Sequence, residues 1–339
     1  MKVNQRQVYL LLFVVALALV AGALVNSGPF GNRDSSLPAP LPTVDMAQAR
    51  QAFDSGGSLS YADIVALQND IVGSPPDLRQ MTDTKAYPDL YNDYLARIEP
   101  FSEQLAKCRL KESLGWLASY REALDDDGTP LPRVLQACVA MLDPYSVPDA
   151  VADEYPAICL HLTDMGEEQI AELQTGRQIR FSGDLAGTRI HPITVENVKY
   201  ELLPDEFVSP TVSPAELENF EVSLSRSMCL GACPDYTVFV NGRGEVTFQG
   251  RYYTRVTGTA TTTIDQDKVA EIVREIHRAD FFSLDNDYSA EVTDLPTYTL
   301  SVQFGRRSKT VSAYGAGPLK LHILESRIDQ ILNTQQWIK

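Results

Sequence analysis

The chain opens on an unbroken apolar run from Val8 to Val25, VYLLLFVVALALVAGALV, preceded by Lys2 and Arg6 and free of internal charge. At the rise of an α-helix the run spans roughly 27 Å, close to the hydrocarbon thickness of a bilayer. The small-residue stretch Ala21-Gly22-Ala23 lies inside the run rather than after it, which favours a retained anchor over a cleaved signal peptide. Positive charge ahead of the run predicts that the N-terminus stays inside and the bulk of the chain outside. Residues 26–42, NSGPFGNRDSSLPAPLP, lack apolar periodicity and read as a Pro/Ser/Gly tether.

From residue 43 to 150 the spacing predicts a helical domain. Asp63, Ile64, Ala66 and Leu67 make a short amphipathic segment. Tyr94, Leu95, Ile98, Phe101, Leu105, Leu114, Leu117 and Leu124 recur mostly every third or fourth residue. Asp125-Asp126-Asp127-Gly128 then reads as a turn, and Pro130 to Leu142 as a returning helix with Val134, Leu135, Cys138 and Met141 on one face. An antiparallel helical hairpin is the expectation.

Beyond Ala157 the pattern shifts to short alternating runs, AICLHL, RQIRFSGDLAG and IHPITVENVKYEL, around a helical EEQIAELQTG. Residues 151–205 therefore read as a small β-rich module. Its stretch Gly176-Arg-Gln-Ile-Arg-Phe-Ser-Gly183 resembles a strand of small OB-type barrels, and that resemblance implies a compact barrel over some forty residues. The stretch lacks the interleaved aromatic and basic residues that nucleic-acid-binding barrels use.

The last part, residues 215–339, reads as an antiparallel sheet with two helices on one face. Phe220 to Leu224 and Tyr236 to Val240 are strands, the latter joined through Asn241-Gly242-Arg243-Gly244 to Glu245–Gln249. Arg255 to Ile264 adds a Thr-rich strand, and Val269, Ile272, Val273 and Ile276 mark the inner stripe of a helix. Tyr298 to Phe304 and Lys309 to Tyr314 form a second hairpin. A final helix after Gly317-Pro318 buries Leu321, Leu324, Ile328 and Leu332. YTVFV at 236–240 echoes YTLSV at 298–302, which hints at an internal repeat. The fold class is thus α+β multidomain.

Charge narrows the partners. The formal charge is −16, and it becomes −18 once Lys2, Arg6, Arg33 and Asp34 are set aside with the first 42 residues. Such a body disfavours nucleic acid and anionic lipid surfaces, both of which need Lys and Arg against phosphate. The expected contacts are an unidentified protein partner in the cell envelope and the membrane through the N-terminal helix only.

Cys229-Leu-Gly231-Ala-Cys233-Pro234-Asp-Tyr236 carries the most specific local pattern. Together with Val246-Thr-Phe-Gln-Gly250, Tyr288, Thr293-Asp294-Leu-Pro296-Thr297 and a closing Trp337, it resembles an uncharacterised bacterial domain family with the motif CxGxCPxY. The resemblance covers about residues 219–338 and implies a fold and an extracytoplasmic habit but no reaction.

Cys229 and Cys233, in an oxidising compartment, are expected to pair and stiffen the loop before the hairpin. The same C-x-x-x-C-P stretch is similar to the copper-binding motif of thioredoxin-like chaperones of respiratory-oxidase assembly, so thiol redox or copper handling, with His277 as a further ligand, is the alternative. There the motif precedes a helix, whereas here it leads into β-rich sequence. Cys108 and Cys138 are expected to bridge the helical hairpin, leaving Cys159 as a buried thiol. His161 and His191 read as solvated or strand-edge residues. Asp285, Asp287, Glu291 and Asp294 read as turn chemistry, without the spacing of an EF-hand. No catalytic residue, metal ligand or cofactor site is assigned, because neither GxSxG nor HExxH is present. The functional expectation is an envelope-associated, extracytoplasmic, non-catalytic binding or structural protein.

Overall fold

The computed structural model describes residues 43–73, 87–124, 129–146, 158–186, 193–290 and 293–338. The apolar N-terminal run, the tether, the Asp125 to Gly128 turn, His191 and Glu291 lie outside the described residues. None of the described helices is long and apolar enough to cross a membrane. The described residues divide into two compact units, with the boundary at Glu206.

In the first unit, α1 (Met46–Asp54) starts where the Asp45 carboxylate accepts from the Ala47 and Gln48 amides. The next helix, α2 (Tyr61–Ile71), opens on a reciprocal Ser60–Asp63 capping box, which satisfies two otherwise orphaned donors. A third helix, α3 (Tyr87–Leu105), presents Tyr94, Ile98, Phe101 and Leu105 to the core at the predicted spacing.

The strands follow as β1 (Ser58–Leu59), β2 (Arg109–Leu124), β3 (Pro130–Ala140), β4 (Ile158–Thr163), β5 (Gln178–Leu185) and β6 (Ile193–Leu202), with the short α4 (Glu167–Glu172) between β4 and β5. β2 pairs antiparallel with both β3 and β5. β3 runs antiparallel to β4, β4 parallel to β6, and β6 antiparallel to β5. The ring β2-β3-β4-β6-β5 thereby closes on itself as a five-stranded barrel, with β1 added parallel to the start of β2. Closure needs close backbone approach. A Cβ on Gly183 would lie 2.5 Å from the Glu196 carbonyl oxygen, so the glycine of the GRQIRFSG stretch is demanded by the β5–β6 contact.

The expected helical hairpin over 43–150 is corrected by this structure. Its second half is the β2–β3 hairpin, and one barrel takes strands from both sides of residue 150, so the split into a helical domain of 43–150 and a β module of 151–205 does not hold. The physical reason lies in β2. Leu114 and Leu124, which completed the helical spacing, are exposed, while Leu110, Leu117 and Ala123 face inward. Register shifts between Leu110 and Ser113, Leu117 and Ser119, and Glu122 and Leu124 break the two-residue alternation, so the period of a strand is hidden in the sequence. The helices and the barrel share one core, in which Phe53, Ile64, Ile98 and Phe101 join Leu117, Val139, Leu160 and Phe181.

The second unit holds α5 (Pro214–Glu218), β7 (Glu221–Arg226), β8 (Asp235–Asn241), β9 (Glu245–Tyr252), β10 (Gly258–Thr263), α6 (Gln266–Arg278), β11 (Asp287–Ser289), β12 (Thr297–Phe304), β13 (Arg307–Tyr314) and α7 (Leu319–Leu332), ending in a helical turn at Gln335–Ile338. The seven strands form one sheet in the order β10-β9-β8-β7-β12-β13-β11. All neighbours are antiparallel except β11, which runs parallel to β13. The echoing segments at 236–240 and 298–302 flank β7 on its two sides.

Alternation sends Val238, Val240, Phe248, Leu300 and Val302 to one face, where Ile272, Val273 and Ile276 of α6 and Leu321, Leu324 and Ile328 of α7 cover them in a single apolar cluster. The β8–β9 turn is tied by Asn241, whose side-chain oxygen accepts from the Arg243 and Glu245 amides at 3.0 and 3.1 Å. Glycine at 242 is required by α5, since a Cβ there would stand 1.7 Å from the Leu217 carbonyl oxygen.

Candidate functional site

The residues of the CxGxCPxY pattern converge on one end of the seven-stranded sheet, where β7 ends, β8 begins, β9 ends and β12 begins. Tyr236, the first core-facing residue of β8, is buried with its ring stacked 5.3 Å from that of Phe248, which stacks in turn 5.0 Å from Trp337. The closing Trp thus completes an aromatic column that starts at the motif tyrosine.

The Tyr236 hydroxyl donates to Asp329 of α7 at 2.8 Å and accepts from Arg226 Nε at 2.9 Å. Arg226 also grips the Asp329 carboxylate at 2.9 and 2.6 Å, and Thr334 donates to its other oxygen at 2.8 Å. The guanidinium lies 4.4 Å from the Tyr298 ring centroid, an arrangement that attracts a cation to the ring face. Burial pushes the Tyr236 phenol above its ordinary value, and Asp329 adds to it. Burial disfavours the Arg226 charge, but Asp329 beside it, with Tyr236 and Glu325, holds the guanidinium protonated. The Tyr236 hydroxyl both donates and accepts inside this trio, so its chemistry is that of a joint that pins α7 to the sheet end.

The motif loop follows Arg226 in the chain. The sulfurs of Cys229 and Cys233 stand at disulfide distance, and Gly231 between them takes φ 142°, a backbone state that favours glycine. The loop is stitched to the second motif segment: the Leu230 amide donates to the Asp294 carbonyl at 2.9 Å, Thr297 N–H to Ser227 Oγ at 2.8 Å, and Ser227 N–H to the Thr297 carbonyl at 3.0 Å. Asp294 holds a left-handed φ of 71°, and Pro296 leads directly into β12. Pro234 leads straight into β8, where the buried Asp235 carboxylate accepts from Arg251 Nε at 2.6 Å.

The loop is thereby held rigidly while its apolar side chains face water. Met228 is 49% and Leu230 73% exposed, and at the same sheet end Tyr252, paired in register with Asp235, is 59% and Tyr253 51% exposed. Leu230 thus lies inside the disulfide-closed loop with Met228 just before it, while the exposed Tyr252 ends β9 and Tyr253 follows it at the same sheet end.

The other cysteines depart from expectation. Cys138 pairs with Cys159, directly opposite it in the β3–β4 register, and not with Cys108. Cys108 is the buried free thiol, its Sγ 3.6 Å from the Phe53 carbonyl oxygen, and burial raises its pKa. The correction follows from the fold: 138 and 159 are neighbouring strand positions, while 108 closes α3. His277 is not brought into the Cys229–Cys233 loop; it packs edge-on against Phe304 from α6. His161 lies on β4 beside Glu196 at 3.9 Å. The described residues contain no group of three or more His, Cys, Asp or Glu side chains placed to hold a metal ion.

Sequence reasoning found the loop but missed Arg226, Asp329, Tyr252 and Tyr253. Arg226 and Asp329 are 103 residues apart, and only the folded sheet brings them together.

Residues 220–332 match the family model of a domain of unknown function (DUF6438). No curated protein matches the chain.

Proposed function

We propose that this protein is an envelope-associated, extracytoplasmic binding protein without a catalytic role, which docks a protein partner on the rim formed by Met228, Leu230, Tyr252 and Tyr253. The observation that carries the reading is a disulfide-closed loop, stitched to the Asp294–Thr297 segment, that keeps Met228 and Leu230 in solvent. Exposing them costs free energy on the order of 25 cal/mol per Å² of apolar area, which a partner's surface would recover.

The extracytoplasmic location is supported by the charge-free run from Val8 to Val25 and by two cysteine pairs at bonding distance, which persist in oxidising compartments. The barrel of the first unit has the strand order and parallel β4–β6 pairing of an OB-type Greek-key barrel. On β3 and β4 Gln136 stands opposite His161 and Cys138 opposite the buried Cys159, and we assign the barrel a structural role.

The test uses the full chain in its native host. Leu230→Asp combined with Tyr252→Asp places charge on the rim without touching the core, and should shift the protein from a larger native complex to its free form while its thermal melting is unchanged. An unaltered complex would refute the rim as the docking surface.

A further inference from the structure

We infer that a second copy of this chain pairs along β10, antiparallel about a twofold axis at Thr261. This goes beyond the partner-docking reading and uses a different part of the sheet.

Among the described strands β10 stands at the sheet edge and pairs with β9 alone. The Ile264 amide donates to the Gly244 carbonyl at 2.9 Å. Antiparallel ladders alternate every second residue, so Thr262 and Ala260 spend their backbone groups on β9. Thr259, Thr261 and Thr263 therefore direct N–H and C=O outward, and all three residues are exposed.

Folded proteins usually protect such an edge with charge, Pro or brevity. The opposite edge does so, since β11 has 3 residues and begins on Asp287. β10 does not: Gly-Thr-Ala-Thr-Thr-Thr carries neither charge nor Pro over 6 residues.

Charge selects the occupant and its direction. In a chain of net charge −16 an arbitrary approach of two copies is repelled, but the strand itself is neutral. Its flanks are opposite in sign, with the exposed Arg255 before it and, after it, Asp265 and Asp267 against the single cation Lys268. Antiparallel pairing sets the Arg255 end of each copy against the Asp265–Asp267 end of the other, whereas parallel pairing would set like charges together.

The outward hydrogen-bonding positions then match in pairs, Thr261 with Thr261 and Thr259 with Thr263. Their side chains meet on the open face of the sheet, where opposed Thr pairs are favourable. Gly258, at φ 91°, ends the pairable length.

The experiment uses the full chain in detergent, followed by sedimentation. Wild type should populate a dimer. Thr261→Lys, which sets two like charges on the axis, should weaken it several-fold, as should Thr261→Asp, and a mixture of the two variants should restore a heterodimer. Thr261→Cys should cross-link to itself with a short thiol-specific reagent, Thr263→Cys alone should not, and the Thr259→Cys/Thr263→Cys double variant should. A monomeric wild type, a dimer indifferent to Thr261→Lys, or cross-linking as efficient at 263 as at 261 would overturn the inference.

Discussion

At the residue scale the protein turns on Tyr236, Arg226 and Asp329. Replacing Tyr236 by Phe removes one hydroxyl that serves two partners and should cost about 1–3 kcal/mol, measured by urea denaturation. Asp329→Ala leaves the buried Arg226 charge without its counter-ion and should cost more, about 3–5 kcal/mol. Equal effects would mean that the Arg226–Asp329 ion pair adds nothing to the hydroxyl contact in seating α7. The motif tyrosine was legible in the sequence because the CxGxCPxY spacing singles it out. Its partners were not, since an ion pair across 103 residues leaves no local signature. A second residue-scale expectation concerns pH. Burial holds His277 below its ordinary 6.5, Arg307 adding and Glu216 opposing, and it holds His161 below 6.5 against Glu196. Below pH 6.5 the unfolded chain therefore binds protons that the fold refuses. Stability should be fully present above 6.5 and fall as pH drops through the lowered folded values. A denaturation series from pH 7 to pH 5 should show that fall, and His277→Gln should shrink it.

At the scale of elements, the second unit was readable because its strands alternate cleanly and its turns carry Asn-Gly and Gly-Arg. The strand from Tyr298 to Phe304 sends Leu300 and Val302 inward as the pattern demands. The first unit was not, because β2 carries three register shifts and its exposed leucines mimic a helical stripe. A helical reading of β2 and β3 sets Cys138 against Cys108, whereas the strand register sets it against Cys159. The two cysteine pairs should also differ in weight. Chain-entropy arguments give about 2 kcal/mol for the short Cys229–Cys233 closure and about 3 kcal/mol for Cys138–Cys159. Cys138→Ala/Cys159→Ala should lower the melting temperature further than Cys229→Ala/Cys233→Ala, by calorimetry on the full chain. The reverse order would show that the motif loop supports the fold and is more than a stapled rim.

At the scale of the whole molecule, charge is divided unequally. Residues 43–205 hold 27 acids against 13 Lys and Arg, residues 206–339 hold 17 against 13. Association through the second unit therefore meets the weaker repulsion, which is where both the rim and the β10 edge lie. The redox state offers a global check. Denatured without reduction, protein taken from its own compartment should accept one alkyl group, at Cys108, and after reduction all 5 cysteines should react. More than one reactive thiol before reduction would favour redox chemistry over a structural role. The central claim, that the motif rim meets a protein partner, is met most directly by photo-cross-linking in the native host from a reactive amino acid placed at Leu230. The account predicts one discrete adduct at Leu230, lost when Tyr252→Asp is added, and none from the same group at the exposed Leu90. No adduct at Leu230, or one that survives Tyr252→Asp, would contradict it.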